Sequence, residues 1–132
     1  MSAISAYLEK AYLDWCFGGA AVTQPSNRWL GLAVGTPTSV SGSEMGTLSG
    51  YSRLTAASFP AASSPAGSMS NTGGHTFGPF SSVGSAIGVH VWDGSPVGSS
   101  TMLWYGTLAT ARTFGIGDTL VFSAGALTIT MS

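Results

Sequence analysis

The sequence predicts a mainly β chain, an antiparallel β-sandwich or jelly-roll-like fold with one N-terminal amphipathic helix. Residues 28–132 contain short strand-like segments at fairly even spacing, separated by turns rich in Gly, Ser and Pro. Helical periodicity is confined to residues 1–19, so the later strands have no helical crossover with which to build a parallel sheet. The length of 132 residues fits a single domain that spans residues 1–132.

The composition predicts a surface that is poor in charge. Charged residues make up 7% of the chain, against about 25% in an average soluble domain. The net charge is −1 and the four cationic residues are scattered, so we expect no nucleic-acid partner. No segment approaches the ~18 consecutive apolar residues of a membrane span, so we expect no membrane contact. Much of such a surface is expected to be covered by copies of the chain or by another protein.

The N-terminal segment predicts an amphipathic helix over residues 3–17. Ser2 or Ser5 can cap its start, and Gly18-Gly19 ends it. The helix is expected to cover the sheet of its own chain, with another subunit as the alternative. Cys16 is the single cysteine and is expected to be a buried, unreactive thiol. The apolar stripe, which follows the 3.6-residue helical period, consists of Ile4, Tyr7, Leu8, Ala11, Tyr12 and Trp15.

The rest of the chain predicts seven short strands. Turn-forming residues from Asp93 to Pro96 predict a hairpin between the fourth and fifth strands, and Ala124-Gly125 predicts a tight hairpin between the last two. Residues 35–49 predict a long loop that is either functional or an arm ordered by a neighbour, and residues 61–74 predict an irregular segment. The predicted strands span residues 28–34, 50–59, 74–80, 87–92, 102–108, 119–122 and 127–131.

No residue pattern in the sequence predicts catalysis or the binding of a metal or cofactor. Asp93 and Asp118 lie in glycine-containing turns, where aspartate commonly bonds to the backbone. His90 is expected to be a surface or hydrogen-bonded side chain, because no Cys or carboxylate stands at a typical zinc-ligand spacing. The sequence has neither a nucleophile elbow nor a complete dinucleotide fingerprint. We therefore expect no catalytic, cofactor-binding or metal-ligating residues and no enzyme.

Aromatic side chains are the more informative candidates for binding. Trp29, Trp92, Trp104 and Tyr105 lie on predicted strands, where they could line a sugar-binding face or contact another subunit. The low charge of the chain favours subunit contact. Together with the helix, the expected contact residues are Tyr7, Tyr12, Trp15, Trp92, Trp104 and Tyr105.

A series of segments along the chain points to a known family. In order, they are the helix SAYLEKAYLDWCFGG, the strand WLGLAVGTPT, Glu44 ahead of GYSR, Ser70-Asn71 before HTFGPF, and then IGVHVWD, LWYGTL and GDTLVFSAGALTIT. Their order from residue 3 to residue 131 resembles that of short virion proteins of tailed bacteriophages, which are commonly labelled tail fibre proteins. The resemblance brings no catalytic residue, cofactor or metal with it.

The resemblance implies a structural component of a phage virion, assembled in the host cytoplasm. The first expectation is a capsid decoration or cement protein that binds the shell of major capsid protein as an oligomer, expected to be a trimer. Under this hypothesis the helix and loop 35–49 bridge to the shell, while Trp92, Trp104 and Tyr105 form the trimer. A tail fibre or tail adaptor subunit is the first alternative. A carbohydrate-binding module that stacks glycan on Trp29, Trp92 or Trp104 is the second.

Overall fold

A computed structural model describes residues 2–46, 50–56, 59–62, 67–97 and 100–130. Within these residues the chain forms one helix and nine strands. In chain order they are β1 (Ser2–Ile4), α1 (Ala6–Cys16), β2 (Trp29–Ala33), β3 (Leu54–Thr55), β4 (Ser68–Ser70), β5 (His75–Phe77), β6 (Gly84–Trp92), β7 (Met102–Phe114), β8 (Leu120–Phe122) and β9 (Thr128–Thr130).

The strands form one larger sheet and two small ladders, all antiparallel. The larger sheet has five strands in the order β1-β7-β6-β2-β3, and the ladders pair β4 with β9 and β5 with β8. Leu32, Val91 and Trp104 of the sheet share one hydrophobic core with Phe77 and Phe122 of the β5–β8 ladder. This arrangement is sandwich-like, and the prediction of a mainly β fold is confirmed.

The predicted hairpin around Asp93 is the centre of the five-stranded sheet. It consists of β6 and β7, which extend beyond the predicted strands to Gly84 and Phe114. Its loop is closed by Asp93, whose Oδ1 accepts a 2.7 Å hydrogen bond from the Thr101 N–H. Successive side chains of a strand point to opposite faces, so His90 projects away from the face of Val91.

The structure corrects the start of the predicted helix. Residues 2–4 form β1, which pairs with the Trp104–Gly106 part of β7, and α1 begins only at Ala6. Of the two predicted caps, Ser5 is the one that the structure shows. Its Oγ accepts a 3.2 Å hydrogen bond from the Leu8 N–H. Gly18 takes a φ of +85° just beyond the helix, which confirms the predicted end.

The predicted hairpin at Ala124-Gly125 is wrong. A turn is present, with the Ala126 N–H bonded to the Ser123 oxygen at 3.0 Å, but β8 pairs with β5 while β9 pairs with β4. Both partners lie far away along the chain, so the local sequence could not reveal them. Residues 68–70, expected to be irregular, form β4, and the predicted strand 50–59 shortens to Leu54–Thr55. Residues 47–49, 57–58, 63–66 and 131 of the predicted segments lie outside the described residues.

Candidate interaction surface

Helix α1 lies on the edge of the protomer and is held mainly at its N-terminal end. The Ser5 N–H bonds to the Leu103 oxygen and the Ala6 N–H bonds to the Ser39 oxygen, both at 2.9 Å. No residue of α1 is buried. The expectation that the helix stripe packs on the sheet of its own chain is correct only in part. Ile4 packs against the core, and Leu8 and Ala11 are half-buried, whereas the aromatic residues of the stripe are exposed.

Part of the stripe lines an apolar groove, and we call this surface the α1 face. Tyr7, Tyr12 and Trp15 keep 56%, 50% and 59% of their surface exposed. The rings of Tyr12 and Trp15 lie 5.9 Å apart and tilted, and they form part of the wall of a groove of about 370 Å³. Single exposed apolar residues are common, whereas a contiguous apolar patch marks an interaction site. The α1 face comprises Ile4, Leu8, Tyr12, Trp15 and Val22, and the exposed Tyr7 lies on the same helix beside Lys10 and Asp14.

Two features flank the α1 face. Lys10 and Asp14 form an i,i+4 ion pair, so their charges neutralise each other next to Tyr7. Cys16 is exposed, and the prediction that its thiol is buried is wrong. The prediction failed because it assumed that the aromatic neighbours of Cys16 would face the core.

The strand aromatics are used differently from those of α1. Trp104 is 6% exposed and belongs to the hydrophobic core, so its predicted place on a contact surface is corrected to a core position. Trp92 and Tyr105 are half-buried, and the Trp92 ring is covered by the Arg53 guanidinium, whose Cζ lies 4.1 Å from the ring centroid. Trp29 is half-buried opposite Trp92. Of the six expected contact residues, the structure brings Tyr12 and Trp15 together on one exposed surface, and Tyr7 is exposed elsewhere on the same helix.

A buried ion pair that the sequence analysis did not predict lies next to the loop of the β6–β7 hairpin. Arg53 donates from Nε and Nη2 to the two carboxylate oxygens of Glu44, each at 2.6 Å. The Arg53 side chain is 0% exposed and that of Glu44 is 9% exposed. Arg53 also donates from Nη1 to the Gly94 oxygen at 2.6 Å and to Ser100 Oγ, which ties the hairpin loop to the pair.

Tyr51 joins the ion pair to the edge of β2. Its hydroxyl donates to Glu44 Oε1 at 2.8 Å and accepts a 3.0 Å bond from the Leu32 N–H. Burial, followed by the nearby Glu44 carboxylate, raises the pKa of Tyr51 above its usual range. The phenol therefore stays protonated and holds both bonds.

His90 belongs to the same cluster, because its ring contacts the ring of Trp92. The Trp92 Nε1–H donates to His90 Nδ1 at 2.5 Å, which confirms a hydrogen-bonded histidine, although the ring is 0% exposed rather than on the surface. Burial lowers the pKa of His90 to about 4, so the ring is neutral near pH 7. A Cβ on Gly31 would lie 2.4 Å from His90 Cε1 and 2.6 Å from the Tyr51 hydroxyl, so only glycine fits there.

The cluster holds loop residues 35–46 against their own sheet. The Val34 N–H bonds to the Ser43 oxygen and the Met45 N–H to the Leu32 oxygen, both at 2.9 Å. These bonds cover the edge of β2 where β3 stops, and sheet edges left open invite pairing with other chains. The described part of the predicted bridging loop 35–49 is therefore integrated in the protomer, although Val40 at its tip remains exposed.

Sequence reasoning missed the ion pair for an identifiable reason. Glu44 and Arg53 are nine residues apart, in a segment that predicts only loop and a weak strand. One signal was available, because only 7% of the residues are charged and a carboxylate and a guanidinium lie on either side of Tyr51. Unpaired charges are rarely buried, so these two side chains were candidates for an ion pair.

The carboxylates of Glu44, Asp93 and Asp118 are committed to structural bonds, whereas His90 Nε2 and Trp104 Nε1 are buried without a hydrogen-bond partner in the described part of the chain. Glu44 is saturated by Tyr51 and Arg53, and Asp93 and Asp118 each accept a bond from a backbone N–H at 2.7 Å, as predicted for turn residues. Among the described residues no three His, Cys, Asp or Glu side chains are grouped closely enough to hold a metal ion. Across the same residues, no helix has the length and apolar character needed to cross a bilayer.

Comparison with known protein families covers nearly the whole chain. A family model described as Podophage GP4 fiber I protein gp80 matches residues 3–130. The chain belongs to this family. No curated protein sequence gave a match. The family relationship identifies a fibre-type virion protein of a phage, in agreement with the resemblance drawn from the sequence segments. The Glu44, Tyr51 and Arg53 cluster and the α1 face both lie inside the matched residues.

Proposed function

We propose that this fibre-type virion protein is a structural subunit of a phage tail fibre, held in place by its α1 face. The observation that carries the proposal is the contrast between the two halves of the molecule. The β core covers the edge of β2 beyond β3 and buries its ion pair, whereas α1 leaves Tyr7, Tyr12 and Trp15 at least half exposed. An apolar surface of this kind on a chain with few charges is suited to contact inside an assembly.

The role proposed is one of assembly, without catalysis. The carboxylates of Glu44, Asp93 and Asp118 are engaged in structural hydrogen bonds, and the His90 ring is closed off from solvent. Binding of α1 to a neighbour would stabilise the assembled state by mass action, because the contact exists only in that state.

The capsid surface is the competing location, because capsid decoration was the first expectation from the sequence alone. In that location the same α1 face would bind an assembled shell of major capsid protein. The description of the matched family as a fibre protein supports the tail location. The expected trimer relied on Trp92, Trp104 and Tyr105, and it now lacks the support of Trp104, which lies in the core.

The carbohydrate-binding alternative has less support, because two of its three tryptophans are buried or covered. Trp104 is buried, Trp92 lies under Arg53, and Trp29 is half-buried. A glycan stacks on an open aromatic ring, and none of these three rings is among the exposed large hydrophobic residues of the described chain.

Labelling of intact particles tests the proposed location. Gold-conjugated antibodies raised against the purified chain are applied to virions and viewed by electron microscopy. Label confined to the tail end of the particle is the expected result. Label distributed over the whole capsid surface would contradict the fibre role and favour decoration of the shell.

A further inference from the structure

We propose that residues 35–43 form a strap across the five-stranded sheet, and that protonation of His90 releases this strap while the β core stays folded. The strap would thus open as a local unit, as many surface segments of folded proteins do. The inference goes beyond the proposed function, because it describes a change within one protomer and does not depend on where in a virion the chain lies.

The strap lies directly on the sheet at two points, Pro37 and Gly42, which are both buried. A Cβ on Gly88 of β6 would lie 3.0 Å from Pro37 Cδ. A Cβ on Gly42 would lie 2.8 Å from His90 Cδ2 and 3.2 Å from His90 Nε2. The two glycines therefore permit the close approach of strap and sheet, and Gly42 closes the site in which the His90 ring is enclosed.

The enclosed His90 ring has no place for a second proton. Its Nδ1 accepts the bond from the Trp92 Nε1–H, so the proton of the neutral ring is on Nε2. Nε2 is buried and has no hydrogen-bond partner among the described residues. A protonated ring must donate from both nitrogens, so it would lose the Trp92 bond and bury an unpaired charge. Movement of Gly42 away from the ring would open Nε2 to water.

The titratable and charged groups around the ring do not compensate for its burial. Glu44 favours the charged ring and Arg53 opposes it, and these two side chains are paired with each other. Tyr51 is held by its bond to Glu44, and Tyr105 lies opposite His90 on β7. Burial is the largest effect and lowers the pKa of His90. The closed strap therefore disfavours protonation.

The ends of the strap differ in how firmly they are held. Ser43 has a φ of +46°, a left-handed conformation that is strained for a residue with a Cβ. The next residue, Glu44, is fixed by the buried pair with Arg53, so Ser43 is the place where the strap can hinge. Toward its middle, the Ser39 oxygen accepts a bond from the Ala6 N–H. Release of the strap would therefore also free the first residue of α1.

Hydrogen exchange of individual backbone amides tests the proposal in the full chain. The reporters are the Ala6 and Val34 N–H groups, which bond to the Ser39 and Ser43 oxygens. Exchange is measured by NMR at pH 7 and pH 4.5 and corrected for the intrinsic rate at each pH. A ring with a pKa of about 4 when closed and about 6.5 when open should increase the open population by roughly 50-fold between these pH values. The protection of both amides should fall by the same factor.

Dependence on urea separates local opening from unfolding of the whole chain. Local opening exposes little surface, so exchange of the Ala6 and Val34 amides should change little in dilute urea. The Met45 N–H bonds to the Leu32 oxygen just beyond Glu44 and serves as the internal reference. It should remain better protected at both pH values, and its exchange should respond strongly to urea.

Two histidine variants assign the acid response to one ring. His90→Asn removes the titrating group and should leave the protection of the Ala6 and Val34 amides the same at both pH values. His75→Asn is the matched control, because His75 is also buried but lies on β5 opposite Phe122. This control should retain the wild-type response to acid.

Three results would overturn the proposal. The first is equal protection of the Ala6 and Val34 amides at both pH values in the wild type, the second is an undiminished acid response in His90→Asn, and the third is exchange with the same urea dependence as Met45. If His90→Asn does not fold, Gly42→Ala decides, because its Cβ should push the strap off His90 and lower the protection of both amides at pH 7. Unchanged protection in Gly42→Ala would also overturn the proposal. None of these results bears on the fibre role.

Discussion

Glu44 and Arg53 pair through two parallel hydrogen bonds of 2.6 Å in a site from which solvent is almost excluded. A buried pair of this kind contributes little net stability compared with an apolar replacement, yet removing one partner leaves the other charge unpaired. Because Arg53 also bonds to the Gly94 oxygen, the pair fixes the hairpin loop and the segment that carries Glu44 in one arrangement.

Replacing Arg53 with methionine should destabilise the fold strongly. The Glu44 carboxylate would remain buried with only the Tyr51 hydroxyl as a described donor, so we expect the free energy of unfolding to fall by about 3–5 kcal/mol. Urea denaturation of Arg53→Met measures this loss, and the double variant Glu44→Gln, Arg53→Met should recover part of it. Arg112 on β7 is exposed, so Arg112→Met should stay within about 0.5 kcal/mol of wild type. Equal effects of the two single variants would contradict a structural role for the pair.

Replacing Gly31 with alanine should strain the same cluster from the other side. The new Cβ would lie 2.4 Å from His90 Cε1, so His90 or Tyr51 must move, and overpacking of this kind costs about 1–3 kcal/mol. Gly46→Ala is the control, because a Cβ there meets nothing within 4 Å. Thermal unfolding of both variants checks the difference, and an unchanged melting temperature for Gly31→Ala would show that the site is looser than described.

The stability of the fold should depend on pH through His90. An unfolded histidine has a pKa of about 6.5, whereas burial lowers the pKa of His90 to about 4 in the folded chain. Between these values the unfolded chain binds a proton that the folded chain does not, so stability is full above about pH 6.5 and falls as the pH drops toward 4. His90 alone should account for roughly 3 kcal/mol of this loss.

The contribution of His90 is isolated by comparison with a variant. Burial also lowers the pKa of His75, so His90 is not the only group that can change stability in acid. The wild type is therefore compared with His90→Asn, which retains His75 and every carboxylate. The amide oxygen of the substituted side chain can still accept a hydrogen bond from the Trp92 Nε1–H. The free energy of unfolding should decline less steeply in the variant between pH 6.5 and 4. Parallel pH profiles for the two proteins would contradict the assignment.

The Cys16 thiol should react in the native protein. It is exposed at the end of α1, so a thiol reagent such as Ellman's reagent should modify it in dilute native protein nearly as fast as in the denatured chain. Modification that requires denaturant would mean that α1 packs more closely on the protomer than the structure describes.

Local patterns predicted those parts of the fold that depend on neighbouring residues. The Asp93 hairpin, the Ser5 cap and the Gly18 helix end follow from turn and cap chemistry within a few residues. The β4–β9 ladder joins Ser70 to Thr128, and no local pattern encodes a pairing over that distance. The helix stripe was recognisable from its period, but the period does not determine which surface covers it, and the short β1 anchor decided the outcome.

The candidate site was predictable to a similar extent. Tyr7, Tyr12 and Trp15 were expected to be contact residues, and all three are exposed on α1. Trp104 could not be separated from them, because an aromatic residue on a strand can face the core or the solvent. The Glu44–Arg53 pair depends on the path of a loop between β2 and β3, which the sequence leaves undefined.

The copy number of this chain in purified virions, relative to the major capsid protein, tests the central claim most directly. Quantitative mass spectrometry of particles gives this ratio. We expect the chain to be present in a number far below that of the shell protein, because it is proposed to be a tail fibre subunit. A ratio close to that of the shell protein would contradict the fibre role in favour of capsid decoration, and absence of the chain from particles would contradict a structural role in the virion altogether.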